Sequence, residues 1–140
     1  MSVYVVDASV GGKWLLPEVG TPEAMRLRQG MHQLHVPAFF DVEVTNILWK
    51  RVRKSLLTST VAAELAEQLL GVPLVRHHDA PLLKSAFELA CQTERTVYDC
   101  LYVALAITLG GKLVTADERL VNSLAIGPCA GSVIHLRDVP

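Results

Sequence analysis

The chain has 140 residues, of which 51% are hydrophobic and 19% charged, enough apolar material for one compact domain spanning residues 1–140 and too much for a disordered chain. Thirteen basic residues against fourteen acidic ones leave a net charge of −1, so no bulk positive field marks a nucleic-acid binder, and any positive surface must be local. The longest apolar run, residues 100–109, is far short of the ~18 residues that span a bilayer, and the first residues carry no basic n-region, so a cytoplasmic protein with no membrane contact is expected.

Residues 3–6, Val-Tyr-Val-Val, form a continuous β-rich run that reads as a strand buried on both faces, and Asp7-Ala8-Ser9 reads as the turn into a helix from about Val10. Further short strands are predicted at 35–36, 73–75, 112–115 and 132–135. Helices are predicted at 21–31, 39–54, 59–70, 80–94, 98–109 and 118–124, with Thr58 or Ser59 capping the third of these and Gly110-Gly111 ending the fifth. Alternation of strand and helix implies an α/β fold: a parallel sheet of about five strands with helices on both faces. In such sheets the ligand site lies beyond the carboxyl ends of the strands, which directs attention to Asp7 and Asp117.

Each acid near those strand ends has an ordinary explanation. Asp7 or Ser9 would cap the first helix, and Asp117 would cap the helix opening at Glu118. Asp99 lies in Thr96-Val97-Tyr98-Asp99, the Thr-x-x-Asp form of a capping box, ahead of a helix apolar around most of its circumference. Glu43 lies off the stripe formed by Phe40, Val44, Ile47 and Leu48, on the face shared with Asn46, Lys50, Arg53 and Lys54, and alone reads as part of a solvated surface. Taken together, the four acids form a set of hard oxygen donors suited to Mg²⁺ or Mn²⁺, ions that activate water and stabilise the charge developing on a phosphodiester.

The ordered segments Val5-Val6-Asp7-Ala8-Ser9-Val10, Lys13-Trp14-Leu15-Leu16-Pro17-Glu18, Pro37 followed by Glu43-Val44-Thr45-Asn46-Ile47-Leu48, Thr96-Val97-Tyr98-Asp99-Cys100-Leu101-Tyr102 and Leu113-Val114-Thr115-Ala116-Asp117-Glu118-Arg119-Leu120 resemble the PIN-domain nucleases, and especially their VapC toxin branch. The resemblance runs across nearly the whole chain. It implies that Asp7, Glu43, Asp99 and Asp117 are the catalytic, metal-binding acids, that Ser9 and Thr115 line their pocket, and that Asn46 stands beside it. It further implies endonucleolytic cleavage of structured RNA, frequent homodimerisation, and a VapB-like antitoxin whose tail occupies the active-site groove. Two alternatives remain open: a PIN-type RNA-processing or DNA nuclease outside a toxin pair, and a non-catalytic α/β interaction module whose acids only cap helices.

Lys50, Arg51, Arg53 and Lys54 form a basic cluster downstream of Glu43, suited either to RNA phosphates or to the negative end of a helix dipole. Trp14 and Trp49 read as core packing, Cys91, Cys100 and Cys129 as reduced core thiols, and Arg76-His77-His78-Asp79 as a polar surface loop.

Overall fold

A computed structural model describes residues 2–140. Five strands, β1 (Val3–Val6), β2 (Gln33–Pro37), β3 (Val75–His77), β4 (Lys112–Thr115) and β5 (Val133–His135), form one all-parallel sheet in the order β3-β2-β1-β4-β5. Seven α-helices flank it: α1 (Ala8–Leu15), α2 (Thr21–Gln29), α3 (Phe39–Arg53), α4 (Ser59–Leu70), α5 (Leu83–Thr93), α6 (Val97–Leu109) and α7 (Glu118–Ser123). Successive side chains of a strand point to opposite faces, so the burial of Tyr4, Val5 and Val6 in succession means that both faces of β1 are covered.

The strand order reverses between β1 and β4, which pair directly with Val5 opposite Leu113 and Val6 opposite Val114. Connections leave this point in opposite directions and open a crevice beyond the two carboxyl ends. Helix α6 packs against β1, β2 and β4, and its residues Cys100 to Ala106 are all buried, as its uniformly apolar sequence requires. Thr96 caps it, its hydroxyl accepting from the Asp99 amide, and Gly110 ends it in the left-handed conformation with φ 67°. Each fully buried aliphatic or aromatic side chain of this core stabilises the fold by about 1.5–3 kcal/mol.

Helices α1 and α3 cross closely at Gly11, where an added Cβ would come within 2.5 Å of the Phe40 ring. The stripe Phe40, Val44 and Leu48 faces inward as the sequence predicts, which turns Glu43 toward the crevice. The start of α3 is fixed from a distance. Ala38 provides no side-chain cap, and Asp79 Oδ1 instead accepts from the Phe39 amide at 3.2 Å, while Arg76 makes a two-pronged ion pair with Asp41 at 2.7 and 3.1 Å.

The segment 76–79 is therefore a buttress for α3 and not the polar surface loop expected. Within it, His77 Nε2 lies 2.9 Å from Nδ1 of the buried His35, tying β3 to β2, and burial followed by the neighbouring ring holds His35 below the usual histidine range. Two other expectations are corrected. Cys91 is exposed on α5, and Trp49 is 52% exposed on α3, because both fall outside the apolar stripes of their helices. Trp14, Cys100 and Cys129 are buried. No helix among the described residues is long and apolar enough to cross a membrane.

Candidate active site

Four elements deliver the acids. Asp7 follows β1, Asp117 follows β4, Glu43 lies in the second turn of α3, and Asp99 lies in the first turn of α6. All four line one cleft of about 230 Å³, together with Ser9, Asn46, Lys50 and Tyr102. Thr115, fully buried, lies behind it.

Capping and facing the cleft prove compatible. Asp7 Oδ1 accepts from the Ser9 amide at 3.0 Å and from the Ser9 hydroxyl at 2.5 Å, capping α1. Asp117 Oδ1 accepts from the amides of Arg119 and Leu120, capping α7. Each cap uses one carboxylate oxygen and leaves Oδ2 uncommitted to the helix. Asp99 differs: Thr96 alone does the capping, and the Asp99 carboxylate turns to Arg95, whose Nη2 donates to Oδ2 at 3.1 Å. The capping box predicted from the sequence is thus only half formed.

Ser9 joins the two central strand ends. Its hydroxyl donates to Asp7 and accepts from the Ala116 amide at 2.9 Å, and it lies 3.4 Å from the Thr115 hydroxyl, which in turn accepts from the Asp117 amide at 3.0 Å. The turns after β1 and β4 are consequently fixed to one another, which sets the relation of Asp7 to Asp117.

Burial raises the Asp7 carboxyl to about 6, against the lowering effect of the Ser9 and Thr115 hydroxyls and with a further push from Glu43. Burial likewise lifts Glu43 above the ordinary carboxylate range; the Tyr102 hydroxyl, donating to Oε1 at 2.5 Å, and Lys50 draw it back, while Asp99 adds to the rise. Negative charge here is costly until a cation arrives.

Among the described residues, no three His, Cys, Asp or Glu side chains close into a ready coordination sphere. Arg95 lies between two of the acids, 3.1 Å from Asp99 and 3.9 Å from Asp117, and part of the local charge is balanced that way. The Arg95 Nε is buried without a partner. The donor set is entirely oxygen, with Asn46 and Ser9 beside the carboxylates, and that chemistry fits Mg²⁺ or Mn²⁺, which keep several of their waters and need only one or two direct carboxylates.

Sequence reasoning did not single out Arg95 or Tyr102 as site residues. Tyr102 follows Asp99 by three positions and so shares its face of α6, a signal that its apolar surroundings concealed. The basic cluster divides: Lys50 lines the acidic cleft and an adjoining groove, Arg53 and Lys54 line only the groove, and Arg51 turns away to bind Glu18 at 2.8 Å.

A larger cavity between α1, α2 and the end of β5 holds no such convergence of acids, and Lys13 within it is already engaged by Glu18 and the Val19 carbonyl.

A parallel sheet whose central switch point carries four acids defines a class of metal-dependent phosphodiesterase folds, and the PIN domain profile matches residues 4–123. Ribonuclease VapC3 of Pyrobaculum aerophilum is 41% identical over 120 residues, covering 84% of this chain and 92% of that protein. Ribonuclease VapC12 of Mycobacterium tuberculosis is 35% identical over 122 residues, covering 86% and 92%. The chain belongs to the PIN-domain family, in its VapC-type branch. The fold also matches the crystal structure of PAE2754 from P. aerophilum with a TM-score of 0.73 at 23% identity, covering 97% of this chain and 85% of that one. M. tuberculosis VapC20, a toxin that cleaves the sarcin–ricin loop, matches with a TM-score of 0.68 at 19% identity, covering 86% and 94%.

Proposed function

We propose that this protein is a Mg²⁺- or Mn²⁺-dependent endoribonuclease, the toxin of a VapBC-type pair, cutting structured RNA and held in check by a VapB-like antitoxin. The observation that carries the reading is the convergence of Asp7, Glu43, Asp99 and Asp117 on one cleft at the strand-order switch. Its relatives' names, ribonucleases VapC3 and VapC12, support the substrate class.

Asp7, Glu43, Asp99 and Asp117 would hold the ion. When bound, it supplies Lewis-acid polarisation of the phosphodiester and lowers the pKa of water at the site. The chain's own groups do the rest. Ser9 and Thr115 keep the strand-end turns in register, Tyr102 orients Glu43 and holds its charge, and Lys50 offers a cation to the substrate phosphate. The low exposure of Asp7 limits competing solvation and strengthens each charge interaction in the cleft.

The test is cleavage of matched RNA and DNA oligonucleotides in chelator and with added Mg²⁺ or Mn²⁺, alongside calorimetric titration of Mn²⁺. RNA cleavage that requires the ion, with saturable Mn²⁺ binding, is expected. Cleavage unaffected by chelator, or the absence of specific Mn²⁺ binding, would overturn the metal site. A preference for DNA would move the protein to another nuclease role.

A further inference from the structure

Trp49, Lys50, Arg53 and Lys54 alone line a groove at the end of α3 that adjoins the acidic cleft through Lys50, which borders both. The wall of this groove contains no acid. The Trp49 indole is 52% exposed even though the Arg53 guanidinium stands over its ring, 5.6 Å from the centroid. An isolated exposed apolar residue needs no explanation, but an aromatic ring set among three cations without ion-pair partners among the described residues is a specific chemistry. Such cations can also serve a helix C-terminus. Here α3 ends at Arg53, and among the described residues no side-chain hydrogen bond joins Lys50, Arg53 or Lys54 to its final carbonyls.

We infer that this groove is a nucleotide subsite, in which the base of an unpaired residue flanking the cut stacks on Trp49 and Arg53 while Lys50 and Lys54 hold the adjacent phosphates. Aromatic faces beside a basic track bind single-stranded nucleic acid in this manner and tolerate any base. At 1.5 Å per residue Trp49 lies about 9 Å along α3 from Glu43 and Arg53 about 15 Å, so a strand with its phosphate in the acidic cleft reaches the indole within a nucleotide or two. The subsite would favour unstacked loop nucleotides over continuous helix, whose bases are unavailable for stacking. A protein segment docking here would have to present acidic groups to the same three cations. The direct continuity with the phosphodiester cleft favours RNA.

The inference rests on the nuclease reading, and the experiment separates the two. Binding is measured in chelator, so that nothing is cut, with an oligoadenylate and with an abasic ribose-phosphate oligomer of equal length and charge. Trp14 is buried, its Nε1 bonded to the Ala24 carbonyl, so ligand-induced fluorescence change reports Trp49. Expected are quenching by oligoadenylate, roughly tenfold weaker binding for Trp49→Ala with partial rescue in Trp49→Phe, and no effect of Trp49→Ala on the affinity of the abasic oligomer. The melting temperature should stay near that of the wild type. A wild type that cuts RNA in the presence of metal but shows neither quenching nor weaker binding in Trp49→Ala would overturn the subsite and leave the nuclease intact. A wild type that neither binds nor cuts RNA would overturn both. Quenching by an acidic peptide with none by oligoadenylate would assign the groove to a protein and likewise overturn the inference.

Discussion

The Tyr102 hydroxyl donates to Glu43 Oε1 at 2.5 Å, joining α6 to α3 across 59 positions of sequence. The two carboxylates flanking this bond belong to the same cleft, and the tyrosine proton sits where it stabilises only the ionised form of one of them. The Tyr102 hydroxyl is itself held protonated, its pKa raised by burial and then by Glu43.

Tyr102→Phe should therefore raise the Glu43 pKa further, since the hydroxyl lowers it in the native protein. Cleavage that needs ionised Glu43 will lose activity at a higher pH, so the acid limb of its rate profile moves upward. Stability near neutral pH should fall by about 1.5–3 kcal/mol, the range for a hydrogen bond to a charged group. An acid limb in the same place would show that the hydroxyl does not govern Glu43.

Asp99→Asn tests a ligand against a cap. Because Thr96 alone caps α6, the substitution removes only the half-exposed pair with Arg95, and the loss of stability in chelator should stay below about 1 kcal/mol. RNA cleavage should fall by orders of magnitude. Cleavage within a few-fold of wild type would show that Asp99 holds no ion.

Asp7 gives a pH dependence with a definite sign. Its carboxyl stands near 6 in the folded chain against 3.8 without the fold, so between these values the native state binds the extra proton. The stabilising contribution is fully present below about 3.8 and is lost as pH rises through 6, a penalty of about 3 kcal/mol at neutral pH from the size of the shift. Asn also caps a helix, so Asp7→Asn in chelator should be more stable than wild type at pH 7.5 and nearly equal at pH 4, measured by urea unfolding. Added Mn²⁺ should stabilise the wild type more than the variant. Parallel pH profiles for the two proteins would place the Asp7 carboxyl in its ordinary range.

Joint replacement of Lys50, Arg53 and Lys54 by Ala should weaken RNA binding and flatten its log–log salt dependence by about 2, for three lost phosphate contacts on a single strand. An unchanged slope would mean that these cations serve only the end of α3.

The sequence by itself determined the alternation of elements, the burial of β1 and α6, and the candidate acids, because apolar periodicity and strand-end position are local properties of the chain. It also suggested helix caps at Asp7 and Asp117, and those caps form. The tertiary structure alone decided that capping and facing the cleft coexist, because only three dimensions assign the two oxygens of one carboxylate to different neighbours. Arg95 between Asp99 and Asp117, Tyr102 on Glu43 and Asp79 at the start of α3 were hidden for a related reason. Each is a contact or a convergence set by packing across the fold, where a side chain's own apolar or polar surroundings in the sequence carry no sign of the partner it will meet.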